Sequence, residues 1–220
     1  MASIPFVQQA TPADDLTWQM MGICERLASV VLFIALSPVM VGSALVLALM
    51  SRRSPLIAHR RVGWRGSALW MLKLRTMWDQ RDDNPRRQWQ WVERIDDQVG
   101  PDAKHDEDPR VANWFARFCR RHSIDEIPQL WHVMRGEMTL IGPRPITAAE
   151  IRRYYGANAG EVLEVKPGIA GLWQTSGRNR LTYEERRRLD LHFVRHRSSG
   201  MYLRILLRTI PEVWSGANTC

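Results

Sequence analysis

Asp125 and Glu126 stand side by side in S-I-D-E-I-P-Q-L, just ahead of Pro128, and the stretch they open closes on Pro143-Arg144-Pro145. Two adjacent carboxylates at a helix start, followed by an arginine held between prolines, suit metal-assisted chemistry on a phosphate group. The flanking prolines fix the backbone, so the arginine loses little freedom when it binds an anion. The same residues have plainer readings. Ser123 and Glu126 have the spacing of a capping box, and Pro143–Pro145 reads equally as a rigid exit turn. Pro128 favours a helix beginning near itself, which leaves the two acids just ahead of its amino end. Free backbone donors and the helix dipole there stabilise carboxylates and phosphates alike. Gly136 supplies the stop for that helix. Spacing alone leaves Asp125-Glu126 balanced between a helix cap and a catalytic pair.

No rival chemistry is written elsewhere. The chain has no P-loop, no GxGxxG after a strand, no HExxH and no GxSxG. Helix-turn-helix and RNP-like signatures are also missing, so nucleic acid is not an expected partner. Yet the 220 residues carry 31 Lys+Arg against 23 Asp+Glu, a formal charge of +8 and a pI near 10.1, which favours anionic partners. Nearly all of that basic charge is arginine, suited to bidentate phosphate binding; only Lys73, Lys104 and Lys166 are lysines. Ten tryptophans point to a water–lipid boundary. Cys24, Cys119 and Cys220 form neither a metal spacing nor an even framework, which suits a reducing compartment.

The elements that must position these groups begin with a membrane segment. Residues 1–22 contain Asp14 and Asp15 but no lysine or arginine, the wrong pattern for a cleaved signal. From Leu27 to Met50 there are 24 residues without a charge, about 36 Å of helix against a hydrocarbon core of about 30 Å. Ser37-Pro38 interrupts it: Pro38 removes a backbone donor, and the Ser37 hydroxyl can satisfy a freed carbonyl. Composition alone favours a kinked helix that crosses once, over one that dips in and returns.

Next, Val62-Gly63 and Arg65-Gly66 predict a hairpin, with Leu69–Met77 as a strand on which Lys73 and Arg75 point the same way. Residues 79–109 read as an acidic, solvated loop without EF-hand spacing. Val111–His122 and Met201–Trp214 predict amphipathic helices, packed on the core or lying at a membrane surface. Thr182 and Glu185 cap a charged helix running to about Arg197.

At these residues the sequence closely resembles the bacterial sugar transferase family, the monotopic polyprenol-phosphate phosphoglycosyl transferases. The likeness runs from about Cys24 to Pro211 through motifs in the family's order. They are the Ser37-Pro38 pair, R-V-G-W-R-G, L-K-L-R-T-M, D-P-R-V, R-R-H-S-I-D-E-I-P-Q-L, R-G-E-M-T-L-I-G-P-R-P, K-P-G-I-A-G-L-W-Q, S-G-R-N and L-D-L-H-F-V. The resemblance implies an α+β fold, mainly helical. A re-entrant membrane helix (23–53) would follow a flexible amino-terminal segment (1–22) and precede a cytosolic, membrane-associated catalytic domain (54–220). It reverses the preference for a crossing helix and puts both ends at the cytoplasmic face of a bacterial inner membrane, with a small hairpin and interfacial helices around the catalytic core.

The implied reaction has two steps. Asp125 attacks the β-phosphate of a UDP-sugar and releases UMP; the sugar-phosphoryl group then passes to undecaprenyl phosphate, initiating exopolysaccharide. UDP-galactose or UDP-glucose is the implied donor, and downstream glycosyltransferases are implied partners. With Asp125, Glu126 would hold Mg²⁺. Arg144, between Pro143 and Pro145, would bind nucleotide or phosphate, and Arg120 a second phosphate. Lys73, Arg75, Lys166, Arg178 and Asp190 fall on family motifs that line the site. Asn113-Trp114 replaces a usual glycine, His132-Val133-Met134 replaces an N-V/I-L run, and His192-Phe193 with Arg195–Arg197 replaces a more aromatic run. None of these departures removes a proposed chemical group. The competing reading is a non-catalytic, single-pass scaffold whose arginine-rich domain recruits acidic partners.

Overall fold

A computed structural model of the chain describes residues 12–78, 90–96, 113–177 and 181–215. Its first element, α1 (Pro12–Ser51), is a 40-residue helix long and apolar enough to cross a membrane. The expected break at Ser37-Pro38 does not interrupt it, and Pro38 sits inside the helix. The physical reason is local. Pro38 has no N–H to offer the carbonyl of Ile34, and the Ser37 hydroxyl donates to that same carbonyl at 2.8 Å. The helix also begins at Pro12, so the expected boundary at residue 22 falls within it.

One stripe of α1 is uncovered apolar surface, including Leu16, Met20, Ile23, Leu27, Val31 and Ile34. The other side touches the rest of the chain along its length. Trp18 and Met21 pack against Ile141, Phe193, Tyr202 and Ile205. Glu25, buried, accepts from the Tyr202 hydroxyl at 2.6 Å and the Leu140 N–H at 2.8 Å. Met40, Ala44 and Leu47 pack against Leu74, Trp78, Ala116 and Cys119.

The expected hairpin is present. Strands β1 (Leu56–Val62) and β2 (Ala68–Leu74) pair antiparallel across a short 3₁₀ turn, Trp64–Gly66. A third strand, β3 (Val92–Ile95), lies parallel to β1 within the stretch read from sequence as a loop. Its Glu93 binds Arg75 and its neighbour Asp96 binds Arg60, so part of that acidity pairs with the sheet. The order β2-β1-β3 leaves β2 at an edge.

Helix α2 (Trp114–Arg121) starts on Asn113, whose side chain accepts from the Ala116 N–H at 2.7 Å. The asparagine that replaces the family's glycine is thus an N-cap. Ala116 and Cys119 are buried on this helix, while Trp114 and Phe118 face outward. A 3₁₀ turn over Ile124–Gln129 leads into α3 (Leu130–Met134), and Gly136 at φ +71 ends it.

Two three-residue strands, β4 (Thr139–Ile141) and β5 (Gly168–Ala170), pair parallel. Their crossover holds α4 (Ala148–Glu150), a π turn (Ile151–Tyr155), a 3₁₀ turn (Gly156–Asn158) and α5 (Ala159–Leu163). The capped helix expected after Thr182 is α6 (Tyr183–His196), with its capping box formed, and α7 (Ser199–Ser215) follows. On α7, Tyr202 and Ile205 are buried and Leu203, Leu207 and Ile210 are uncovered.

Candidate active site

Asp125 and Glu126 lie in the first turn of the 3₁₀ segment that leads into α3. Ser123 makes no side-chain cap and adopts φ +55, a left-handed conformation costly for a residue with a Cβ. Its carbonyl accepts from the Glu126 N–H at 3.0 Å, and the Glu126 side chain turns away to Lys73. The capping-box reading of Ser123–Glu126 is therefore set aside. The strained turn instead carries two carboxylates on consecutive residues into contact with the sheet.

Lys73 comes from β2, and its Nζ lies 2.6 Å from Glu126 Oε1. Asp125 is buried, and burial pushes its carboxyl up to about 6; the Lys73 charge opposes this, Glu126 adds to it, and Arg120 on α2 opposes it again. Lys73, Arg120, Asp125 and Glu126 are thus one electrostatic unit. Arg75 is not in it. Past the end of the strand at Leu74 the Arg75 N–H still bonds the Pro55 carbonyl at 2.8 Å, and its side chain is drawn towards β3. Its guanidinium is buried against the Ser54 carbonyl at 2.7 Å and Glu93 at 2.5 Å.

Arg144 and Asp190 belong to a second cluster. Pro143-Arg144-Pro145 leaves β4 where Gly142 and Gly168 meet so closely that a Cβ on Gly168 would overlap the Gly142 backbone. The Gly142 N–H donates to Ala170 O at 2.9 Å, and the Gly168 N–H to Pro143 O at 2.8 Å. Held this way, the Arg144 guanidinium lies 5.5 Å from the Trp173 ring, and Arg186 lies 4.8 Å from the same ring. Asp190 is 2 % exposed and accepts from the Tyr155 hydroxyl at 2.9 Å. Burial raises its carboxyl to about 7, against that hydrogen bond and the neighbouring Arg144 backbone and charge. The carboxyl thus stands close enough to Arg144 to be felt by it.

The two clusters share a wall, the turn after β5. Trp173 faces a narrow cleft of about 20 Å³ with Arg144 and Asp190. Gln174 and Thr175 face a larger cavity of about 310 Å³. That cavity joins Ile124 and Glu126 to Leu32, Leu36 and Val39 of α1 and to Val213 of α7. A carboxylate of the Asp125-Glu126 pair thus borders an apolar space walled by the apolar helix.

Lys166 stands apart, its Nζ 5.1 Å from the Trp64 ring, with burial and then the Arg26 charge lowering its affinity for a proton. Arg178 lies outside the described residues.

A profile of the family described as "Bacterial sugar transferase" matches residues 17–216, almost the whole chain. The chain belongs to the bacterial sugar transferase family. It is similar to the exopolysaccharide production protein ExoY of Sinorhizobium fredii, 34% identical over 206 residues, with 87% of this chain and 86% of the relative covered. It is also similar to the UDP-galactose-lipid carrier transferase of Erwinia amylovora, 40% identical over 164 residues, 73% of this chain but only 33% of that longer relative. A third relative is the UDP-glucose:undecaprenyl-phosphate glucose-1-phosphate transferase of Caulobacter vibrioides, 31% identical over 206 residues, covering 89% of this chain and 70% of the relative.

The sugar transferase's site also holds residues that spacing did not single out: Trp173, Tyr155, Tyr183 and Arg186 around Arg144 and Asp190. The signal was present in G-L-W-Q and in the helix after Thr182, but only the fold places them together. For a metal, the donor set is small. Among the described residues no group of three or more His, Cys, Asp or Glu converges. The oxygen donors of Asp125 and Glu126 still fit Mg²⁺, which uses one or two carboxylates and takes its remaining ligands from water and substrate phosphates.

Proposed function

We propose that this sugar transferase moves a hexose 1-phosphate from a UDP-sugar, UDP-galactose or UDP-glucose, to undecaprenyl phosphate and so initiates exopolysaccharide synthesis. The observation that carries this reading is the position of Glu126. It sits beside the buried Asp125 and the Lys73 and Arg120 charges, and it also lines the apolar cavity against α1. Phosphate chemistry and a lipid acceptor both need that one place.

Asp125 is the nucleophile. Its carboxylate oxygen bonds to the β-phosphorus, the bridging bond to the α-phosphate breaks, and UMP leaves with the electron pair. A phosphate oxygen of undecaprenyl phosphate then attacks the same phosphorus. The Asp125–phosphorus bond breaks, giving the lipid diphosphate sugar and the free carboxylate. Lys73 and Arg120 offset charge on the phosphoryl oxygens as it develops. The Arg144 clamp, fixed by its prolines and set beside Asp190, orients the nucleotide end of the donor. Asp125 and Glu126 would hold Mg²⁺, which supplies charge neutralisation to the diphosphate. The lower isoprene units of the acceptor lie in the apolar cavity, next to Leu32, Leu36 and Val39.

The contacts of α1 support a same-face arrangement over a crossing one. A spanning helix needs about 20 residues clear of any cytosolic body. Here Trp18, Met21, Glu25, Leu32, Leu36, Met40, Ala44 and Leu47 all face the catalytic body, so no such run is free. The uncovered stripes of α1 and α7, with Trp114 and Phe118 on α2, suit immersion in one leaflet on its cytoplasmic side.

The test is turnover by the purified chain in detergent, with radiolabelled UDP-sugars and undecaprenyl phosphate. Labelled lipid diphosphate is expected from at least one donor and none from Asp125→Asn. Full activity in Asp125→Asn, or no product from any common UDP-sugar, defeats the proposal. A cysteine placed near Ser3 should resist labelling from outside the cell; ready labelling would favour the single-pass scaffold.

A further inference from the structure

His132 is buried in α3, away from the reacting carboxylates, and both of its ring nitrogens are engaged. Nε2 lies 3.2 Å from the backbone N–H of Leu72 on β2. Nδ1 lies 2.6 Å from Glu137 Oε2. The two bonds fix the tautomer. The Leu72 N–H can only donate, so Nε2 presents its lone pair and the proton sits on Nδ1, donating to Glu137. Glu137 is itself anchored, since Arg135 Nε donates to its other oxygen at 2.7 Å. Burial pushes the Glu137 carboxyl up, but the His132 and Arg135 hydrogen bonds outweigh it and hold the group below the usual range.

The strand that receives this bond is an edge of the sheet, so among the described residues its outward N–H groups meet no neighbouring strand. The imidazole takes the place of one such partner. The residue after Leu72 is Lys73, whose Nζ holds Glu126 at 2.6 Å and whose charge is the largest favourable one on Asp125. The chain Arg135–Glu137–His132–Leu72 therefore fixes the backbone from which the key cation projects.

We infer that His132 is a positioning residue for the transferase reaction, holding β2 through the Leu72 N–H so that Lys73 meets Glu126 and Asp125. The inference rests on the transferase reading for its kinetic consequence, though not for its geometry. His132→Leu removes the acceptor while keeping an apolar side chain. His132→Gln can place an amide oxygen where Nε2 stands.

Two measurements on the full chain in detergent test it. With an amine-directed reagent followed by peptide mass spectrometry, Lys73 should label faster in His132→Leu than in wild type, relative to Lys104. His132→Gln should restore slow labelling. In the transferase assay, His132→Leu should lower kcat on the order of 10- to 100-fold, with KM for the UDP-sugar little changed and most of the rate recovered in His132→Gln. Adding His132→Leu to Lys73→Arg should cost less than adding it to wild type, because both changes disturb one contact. Unchanged Lys73 labelling in a folded His132→Leu protein overturns the inference whatever the assay shows. So does a Gln variant no better than Leu, or strict additivity with Lys73→Arg. Labelling that behaves as expected in a protein with no turnover on any donor would leave the positioning geometry standing and defeat the transferase reading.

Discussion

Lys73 Nζ lies 2.6 Å from Glu126 Oε1, joining the edge strand of the sheet to the strained turn that carries Asp125 and Glu126. Both side chains are largely but not wholly buried, at 18% and 26% exposure, so the pair is shielded from solvent yet reachable by a substrate phosphate. Lys73→Met should lower kcat/KM by about 10²-fold or more, the range seen when one preorganised charge partner is lost at a reacting centre. Lys73→Arg should keep part of the rate. Steady-state kinetics on both variants, with circular dichroism to verify folding, checks this.

Asp125 gives the pH dependence its sign. Its folded value of about 6 lies above the ordinary 3.8, so the carboxylate takes up a proton as pH falls through about 6, and the nucleophile is lost. kcat/KM should drop about tenfold per pH unit below that point. Raising Mg²⁺ should move this acid limb to lower pH, because a bound cation favours the ionised carboxylate. A pH–rate series at several Mg²⁺ concentrations, with chelator as the end point, reads both effects.

The same shift makes a stability prediction. The folded state binds the Asp125 proton more tightly than the unfolded chain does. The fold therefore gains stability as pH falls from about 6 towards 3.8, and the ionised carboxylate is a burden at neutral pH. Asp125→Asn should then unfold at a higher temperature than wild type at pH 7.5 while being inactive. Thermal melts in detergent at pH 7.5 and pH 5 test this; the gain should shrink at the lower pH.

How much of this was legible in sequence depended on how local the cause was. Asp125-Glu126 stood out because Pro128 and the surrounding stretch are contiguous, while Lys73 came from its place in the family motif L-K-L-R-T-M. Arg75 was read beside Lys73, and its guanidinium pairs with Glu93 of β3, a strand that the spacing did not show. Arg144 was read as an anion clamp, and its membership of a separate cluster with Trp173 and Asp190 depends on two short parallel strands. Such a pairing leaves almost no periodic signal. Glu25 was invisible for a similar reason: its hydrogen bond to Leu140 spans 115 positions.

The β4–β5 crossing predicts a contrast between glycines. Gly168→Ala would drive a Cβ into the Gly142 backbone and displace the Arg144 clamp, so both the melting temperature and the donor KM should suffer. Gly200→Ala, with open space around it at the start of α7, should be neutral or stabilising by up to about 1 kcal/mol. Parallel melts and donor saturation curves for the two variants separate crowding from a general effect of substitution.

Tyr155→Phe removes the hydroxyl that donates to Asp190 at 2.9 Å and leaves a buried carboxylate short of a partner. A loss of about 1–3 kcal/mol in stability is expected, with a higher KM for the UDP-sugar because Arg144 is less firmly held. Denaturant unfolding and kinetics on the same preparation check both halves.

The most direct test is to incubate the protein with a UDP-sugar labelled in its β-phosphate and withhold the lipid acceptor. Release of UMP together with label bound to the protein, mapped by peptide mass spectrometry to Asp125 and discharged by undecaprenyl phosphate, is the expected result. UMP release only when the acceptor is present, with no label retained on the chain, would contradict a covalent Asp125 intermediate.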